Sequence, residues 1–286
     1  MDVNAVRTAA DARALVEARG LTHVKVGVFD ADGVMRGKYM SREKFFSALD
    51  KGFGFCDVVL GWDSNDQLYD NVSFTGWHTA YPDAMARIVP STCRDVPFED
   101  GMLLFIAEFE GAAEAICPRG VLRRGLKRAA GSGYKVNASA EFEFFVFDET
   151  PDSVRAKGYR NLKNITPGFF GYSMLRSSVH ADFYAELMAM CERMRMPLEG
   201  LHTETGPGVL EAAIAYDEAL ESADRAALFK TFTKVLAQKR GWTGPASRAI
   251  STSRSPARTA KASSTTPPPP TPCRRNSAGS SAASRR

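Results

Sequence analysis

Residues 140–147 read Ala-Glu-Phe-Glu-Phe-Phe-Val-Phe and place two acids, Glu141 and Glu143, inside an aromatic run. Successive side chains of a β-strand point to opposite faces, so both carboxylates share one face, while Phe142 and Phe144 share the other. The aromatic density predicts a strand that is covered on both faces, where unpaired carboxylates are costly. The pattern therefore indicates acids that need a cation. A solvated acidic face on an edge strand is the alternative.

A second acidic pair flanks a tight turn. Residues 202–211 read His-Thr-Glu-Thr-Gly-Pro-Gly-Val-Leu-Glu, so Glu204 and Glu211 stand on either side of Gly-Pro-Gly. That tripeptide alone indicates only a turn. Together with the first pair, it predicts the oxygen-rich shell that Mg²⁺ or Mn²⁺ requires. We assign His202 a structural role, because no second histidine or cysteine stands at ligand spacing.

The rest of the chain predicts an α+β fold. A helix, a hairpin around Gly33 and a second helix indicate a small N-terminal domain. Strands and helices then alternate, with long helices expected over residues 174–194 and 217–240. Residues 244–286 are rich in Ser, Thr, Ala, Arg and Pro, which predicts disorder. The expected parts are residues 1–112, 113–243 and 244–286.

Composition and charge exclude several classes of protein. The 286 residues are 44% hydrophobic, which predicts a substantial core, and we expect no membrane partner because no apolar run is long enough to span a bilayer. Five cysteines without CxxC spacing, and a polar N-terminus, favour a cytoplasmic protein. The net charge is +4, but residues 241–286 hold eight Lys and Arg and no Asp or Glu. Because this basic segment cannot form a core, we expect no nucleic-acid partner.

In this order the motifs resemble the glutamine synthetase family, including its γ-glutamyl–amine ligase relatives. The catalytic part of the resemblance comprises the Glu-Phe-Glu-Phe-Phe-Val-Phe strand, the Glu-x-Gly-Pro-Gly-x-x-Glu turn, and a helix with Ala223-Asp224 and Phe229-Lys230. The N-terminal part comprises Phe29-Asp30, Gly52-Phe-Gly-Phe55 and Tyr81-Pro82-Asp83. The resemblance covers about residues 20–242. It implies a small N-terminal β-grasp domain followed by the first part of a glutamine synthetase-type catalytic domain.

The resemblance also implies a reaction and its metal ligands. In the family, ATP phosphorylates the side-chain carboxylate of glutamate, and ammonia or an amine captures the acyl phosphate, with two divalent ions, Mg²⁺ or Mn²⁺, at the site. Carried over by position, Glu143, Glu204 and Glu211 would hold the ion nearest the amino-acid substrate. Glu141 would contribute to the ion that bridges the ATP phosphates.

Further residues are implied in the same way. Gly206 and Gly208 would bind substrate. Asp57 or Asp63 would be the acidic residue that reaches into a neighbouring subunit's site and helps deprotonate ammonium, with a turn aspartate as the alternative for each. The family implies a homo-oligomeric ring.

After Arg240 the sequence departs from the family. The family would continue with a Met-x-Lys strand, a Gly-His-Ile-His segment that binds the ATP-side ion, and phosphate-binding arginines, and these motifs do not follow here. Read from the third base of each codon, residues 244–255 allow Pro-Gly-Gln-Ser-Gly-His-Ile-His-Gln-Ser-Leu. We therefore infer a frameshift after about Trp242, and expect a C-terminally truncated chain without ligase activity. The alternative function is a non-catalytic subunit that joins an intact homologue.

Overall fold

The computed structural model describes residues 2–243 and the backbone of residues 247–252. Its helices and strands, in chain order, are α1 (Ala9–Ala18), β1 (His23–Phe29), β2 (Met35–Ser41), α2 (Arg42–Lys51), β3 (Phe53–Cys56), β4 (Asp83–Asp95), β5 (Leu103–Phe109), α3 (Pro118–Gly131), β6 (Asn137–Phe145), α4 (Pro151–Ala156), α5 (Met174–Val179), α6 (Ala181–Arg193), β7 (Leu198–Thr203), β8 (Val209–Ile214), β9 (Asp217–Glu218), α7 (Ala219–Lys239) and β10 (Ser247–Thr252). Strands and helices mix throughout, which confirms the predicted α+β class.

The N-terminal part is a five-stranded sheet in the order β2-β1-β5-β4-β3. The expected hairpin is confirmed, with β1 antiparallel to β2, whereas β1 runs parallel to β5. Val24, Val26 and Val28 alternate along β1 and are fully buried in a core that also contains Phe45 of α2. Ser41 caps α2 by accepting a hydrogen bond from the N–H of Lys44, as the sequence predicts for a helix start here.

The second sheet has the order β10-β6-β8-β7, with each neighbouring pair antiparallel. Phe142 and Phe144 of β6 are buried, and their rings lie 5.1 and 6.0 Å from that of Phe229 in α7. Glu141 and Glu143 lie on the opposite face of the strand, as the alternation predicts. This sheet therefore presents its acidic face away from the helix-covered core.

That acidic face is less covered than the sequence predicts. Phe145 shares it with the glutamates and is 39% exposed, and its ring stacks only on Phe147, at 5.9 Å. The expectation of a strand covered on both faces is therefore wrong for this end of β6. Glu141 and Glu143 are therefore only partly buried, on the side of the sheet that faces away from the core.

Two further elements differ from the sequence analysis. The helix expected over residues 174–194 is broken at His180, whose backbone is not helical, into α5 and α6. The Ser177 hydroxyl donates to the carbonyl of Ser173, a local bond that competes with a regular helix, and the His180 ring packs edge-on against Trp242. The sequence analysis also missed β4, in which Pro90 and a shift of register after Val89 interrupt the alternation.

Residues 244–286, which the sequence predicts to be disordered, include one described strand, β10. β10 pairs antiparallel with β6, with Ile250 opposite Glu141. The open edge of β6 offers unpaired backbone N–H and C=O groups with which β10 pairs, so the structure differs from the prediction over these six residues. Residues 244–246 and 253–286, and with them most of the inferred out-of-frame segment, lie outside the described residues.

Buried ion pairs join the two sheets. Arg94 of β4 is fully buried and donates to Glu221 of α7 at 2.8 Å. Arg119 of α3 forms two 2.9 Å hydrogen bonds with Asp224 of α7 and a third with Glu108 of β5. We call Arg94, Arg119, Glu108, Glu221 and Asp224 the junction network.

In the part of the chain that the structure describes, no helix combines the length and apolarity needed to cross a bilayer.

Candidate metal centre

Strand pairing aligns three polar residues across the second sheet. Glu211 of β8 lies directly opposite Glu143 of β6 on one side and opposite His202 of β7 on the other. Glu141 precedes Glu143 by two residues and therefore shares its face. Neighbouring strands lie about 4.8 Å apart, so this register places the three side chains next to one another.

The closest group at the site contains His202, Glu204 and Glu211. One ligand atom from each lies within 4.8 Å of the others. The Nε2 atom of His202 is 3.6 Å from a carboxylate oxygen of Glu204 and 3.8 Å from one of Glu211. The structure thus brings together two of the three glutamates expected to hold the substrate-side ion, and adds a histidine. Glu143 borders the group as the cross-strand neighbour of Glu211.

These acids have no cationic partner of the ordinary kind. Among the described residues, no lysine or arginine forms an ion pair with Glu141, Glu143, Glu204 or Glu211. Burial raises the pKa of the Glu211 carboxyl above its ordinary value. The nearby charges of the other three glutamates raise this pKa further, whereas His202 lowers it. Among the side chains that the structure describes, the cluster therefore carries negative charge with no lysine or arginine to neutralise it.

The donor set fits a divalent cation. Carboxylate oxygens suit Mg²⁺ and Mn²⁺, and the buried Nε2 of His202 has no hydrogen-bond partner among the described residues. Buried polar atoms are nearly always paired, so an orphaned nitrogen beside two carboxylates points to a partner that is not a protein group. The residues that could hold such an ion are His202, Glu204 and Glu211, with Glu143 alongside.

The Gly-Pro-Gly turn sets the separation of the two acids that flank it. Gly208 has a φ of 68°, and a Cβ there would lie 2.7 Å from the carbonyl oxygen of Val146, so only glycine fits. Its N–H donates to the Thr166 hydroxyl, and its carbonyl accepts from the N–H of Val146. The N–H of Gly206 donates to the carbonyl of Glu204. These bonds support a structural role for both glycines, and their contact with substrate stays a prediction.

Of the two candidate aspartates, Asp57 begins a short 3-10 helix after β3, and Asp63 lies in the loop that follows that helix. Asp57 is 4% exposed and accepts a 2.6 Å hydrogen bond from the Thr75 hydroxyl. One carboxylate oxygen of Asp63 accepts from the N–H groups of Asn65 and Gln67, which closes a turn. The structure does not bring either residue into the cluster of His202, Glu204 and Glu211. A role for Asp57 or Asp63 at a neighbouring site stays a prediction.

His202 is the residue that sequence reasoning assigned differently. The prediction of a structural role searched only for a second histidine or cysteine, although glutamates are ligands too. The usable signal is that His202 and Glu204 are two residues apart and so share a face of the chain. The structure places the imidazole within the acidic group, and the structural role of His202 stays a prediction.

Comparisons with known proteins agree on one family. Residues 115–244 match the family described as glutamine synthetase, catalytic domain. The chain is 47% identical over 221 residues to type-1 glutamine synthetase 2 of Dictyostelium discoideum, covering 76% of this chain and 42% of that protein. It is 34% identical over 236 residues to glutamate–isopropylamine ligase of a Pseudomonas species, covering 81% of this chain and 51% of that protein.

Solved structures show the same fold. A ligand-free GmaS structure matches with a TM-score of 0.65 at 22% identity, covering 81% of this chain and 51% of that one. Plasmodium falciparum glutamine synthetase matches with a TM-score of 0.63 at 16% identity, covering 85% and 51%. The chain thus spans about half the length of the relatives it matches. Over the residues that these matches cover, the chain belongs to the glutamine synthetase family.

Proposed function

We propose that this chain carries the substrate-side metal site of an ATP-dependent carboxylate–amine ligase. The observation that supports this is the cluster of glutamates that have no lysine or arginine partner among the described side chains. It lies on the two strands and the turn where a glutamine synthetase-type chain is expected to bind its metal. Glu143, Glu204 and Glu211 would hold Mg²⁺ or Mn²⁺, and Glu141 would contribute to a second ion. The substrates would be a glutamate-like acid, ammonia or an amine, and ATP, as the names of the relatives indicate.

Each part of the site has a physical task in this proposal. When bound, the ion would shield the charge of the substrate carboxylate, which must approach the polyanionic phosphates. Glu211 binds a proton more readily than an ordinary glutamate, so protons would compete with the cation for this carboxylate as the pH falls. The rigid turn through Gly206 and Gly208 would keep Glu204 and Glu211 at a fixed spacing.

A titration with Mn²⁺ tests the metal site. The electron paramagnetic resonance (EPR) signal of free Mn²⁺ reports how much ion the purified 286-residue chain removes from solution. We expect the triple change of Glu143, Glu204 and Glu211 to Gln to weaken binding by about tenfold or more. The matched control changes three exposed acids, Glu17, Glu43 and Glu192, to Gln and should leave binding unchanged. Equal binding by the cluster variant and the parent would refute the proposed site.

We also propose that this 286-residue chain does not complete the ligase reaction alone. All four of its histidines precede Arg240, whereas the resemblance expects a histidine for the ATP-side ion after that point. Without that ligand and the accompanying arginines, positioning and charge neutralisation of the γ-phosphate both fail. We expect no glutamate-dependent phosphate release from ATP. Release that Glu141→Gln abolishes would show that this chain is catalytically complete.

One observation favours the alternative of a subunit that joins an intact homologue. Large apolar side chains that are 54–78% exposed follow one another along a single segment, at Phe169, Phe170, Tyr172, Met174, Leu175 and Val179. Such a row is typical of a surface that another protein covers. If the alternative holds, a full-length ligase of this family will co-elute with the chain, and Leu175→Glu will prevent it. We likewise propose the homo-oligomeric ring that the family resemblance implies.

A cytoplasmic location is the setting we propose. Cys56, Cys93, Cys117 and Cys191 are free thiols in the described part of the chain. Free cysteines are typical of proteins in reducing compartments.

A further inference from the structure

We infer that Nε2 of His202 is a direct ligand of the divalent ion, so that the site combines nitrogen and oxygen donors and favours Mn²⁺ over Mg²⁺. This inference rests on the metal site proposed above. It adds to that site a residue that the three-glutamate prediction leaves out, and it assigns that residue an effect on which metal is bound.

The distances around Nε2 suit ligands of one ion better than hydrogen-bonded groups. The 3.6 and 3.8 Å separations from Glu204 and Glu211 are too long for hydrogen bonds. Adjacent ligands with metal bonds of about 2.1 Å stand about 3.0 Å apart in octahedral geometry and about 3.4 Å apart in tetrahedral geometry. The two separations from Nε2 exceed these values, and all three donor atoms lie within 4.8 Å of one another, so the group would contract around a bound ion.

No hydrogen bond to another described group competes with metal binding by the Nε2 atom of His202. This nitrogen is buried and has no hydrogen-bond partner among the described residues. The ring itself is held by Tyr172, whose ring is nearly parallel to it at 4.4 Å, with an interplanar angle of 9°. Stacking of this kind fixes the plane of the imidazole and so the direction of its nitrogens.

Tyr172 is held at that position against a conformational cost. Its φ of 54° lies in the left-handed region, which a bulky residue rarely adopts. The N–H of Tyr172 donates to the carbonyl of Thr203, the residue between His202 and Glu204, at 2.8 Å. A strained residue bonded into the strand that carries two donors is typical of a functional site. We therefore assign Tyr172 as a positioning residue for His202.

The donor set determines the expected preference. Mg²⁺ takes oxygen ligands and retains its waters, whereas transition ions accept imidazole nitrogen readily. Loss of the nitrogen should therefore weaken Mn²⁺ binding by about tenfold, and Mg²⁺ binding by much less. Competition of Mg²⁺ against Mn²⁺ measures this selectivity directly.

Pulsed EPR on the Mn²⁺-loaded full chain tests the inference without any activity assay. The chain is produced with ¹⁴N- or ¹⁵N-labelled histidine, and electron spin-echo envelope modulation detects nitrogen bound to Mn²⁺. We expect a nitrogen coupling that changes with the label and disappears in His202→Gln. The matched controls, His23→Gln and His78→Gln, remove histidines of the N-terminal sheet and its loops and should retain the coupling.

The outcomes separate the two proposals. Mn²⁺ bound by the parent without any histidine coupling would overturn the role of His202 and leave the glutamate site standing. Failure of the parent to bind Mn²⁺ would overturn the metal site itself. Tyr172→Phe should keep the coupling because it keeps the stacked ring, whereas Tyr172→Ala should weaken both the coupling and Mn²⁺ affinity. A full coupling in Tyr172→Ala would refute the positioning role.

Discussion

Asp224 of the junction network and Glu204 of the metal cluster are both buried, yet their partners differ. Asp224 is 2% exposed and receives both arms of Arg119. Glu204 is 9% exposed, but the one potentially cationic group near it among the described residues is the imidazole of His202. Among the side chains that the structure describes, carboxylates are thus paired with arginine in one region and have no arginine or lysine partner in the other.

This difference in partners distinguishes acids that stabilise the fold from acids that are available to bind a cation. A protein that only needs stability pairs its buried carboxylates, because an unpaired buried charge is costly. Leaving several glutamates side by side without arginine lowers stability and is typical of a site that binds a cation. The pKa of Asp224 is raised by burial and lowered by its bond to Arg119, whereas at Glu211 the neighbouring acids add to the effect of burial.

The largest effect should come from breaking the junction network. Arg119→Met leaves Asp224 buried without its partner and should lower the free energy of unfolding by about 3–5 kcal/mol, measured by urea denaturation. The control, Arg123→Met, lies one turn further along the same helix, also contacts Glu108 and is half exposed, so it should cost less than about 1 kcal/mol.

A double variant sharpens this result. Replacing both partners, as Arg119→Met with Asp224→Leu, should recover most of the lost stability, because no buried charge then lacks a partner. A double variant as unstable as Arg119→Met alone would show that packing of the arginine, rather than charge pairing, stabilises the junction.

Within the metal cluster, neutralising one acid should raise the free energy of unfolding, whereas breaking the junction network lowers it. Without metal, Glu211→Gln removes a charge that neighbouring glutamates repel and should raise the free energy of unfolding by about 0.5–1 kcal/mol at pH 7. Glu17→Gln, on an exposed part of α1, should change it by less than the error of the measurement. A destabilised Glu211→Gln would mean that the cluster is a structural network like the junction.

The smallest expected effect is the pH dependence of the stability that Glu211→Gln gains over the parent. The pKa of Glu211 is raised in the folded state, so the folded chain binds this proton more tightly than the unfolded chain. This proton therefore stabilises the folded parent at low pH, and its contribution is lost as the pH rises through the pKa of Glu211 in the folded state. The advantage of Glu211→Gln over the parent should therefore shrink as the pH falls from 7 toward 4.5, the ordinary value for a glutamate. Parallel urea curves across this range measure it.

Local sequence signals were sufficient for much of the fold. The hairpin, α2 and the two faces of β6 follow from alternation and capping, and the structure confirms them. The break at His180 involves a contact with Trp242, which is distant in the sequence, and the strand β4 was missed because Pro90 and a shift of register interrupt its alternation.

The site could be predicted only in part. The spacing of residues predicts which glutamates share a face, but the register between strands decides which side chains meet. Pairing of β7 with β8 brings His202 opposite Glu211, and no single segment of sequence contains that information. The stacked Tyr172, 30 residues before His202, was likewise beyond local pattern analysis.

The most direct test of the central claim, that the cluster is a cation site and the junction is not, is the free energy of unfolding with and without Mn²⁺. Without metal, the Glu143, Glu204 and Glu211 to Gln variant should be more stable than the parent. At Mn²⁺ concentrations about 100-fold above the parent's Kd, the parent should gain about 2.7 kcal/mol and the cluster variant about 1.4 kcal/mol or less, so the stability difference should move toward the parent by about 1.3 kcal/mol or more. The Glu17, Glu43 and Glu192 to Gln control should follow the parent. Equal Mn²⁺ stabilisation of the parent and the cluster variant would contradict the account.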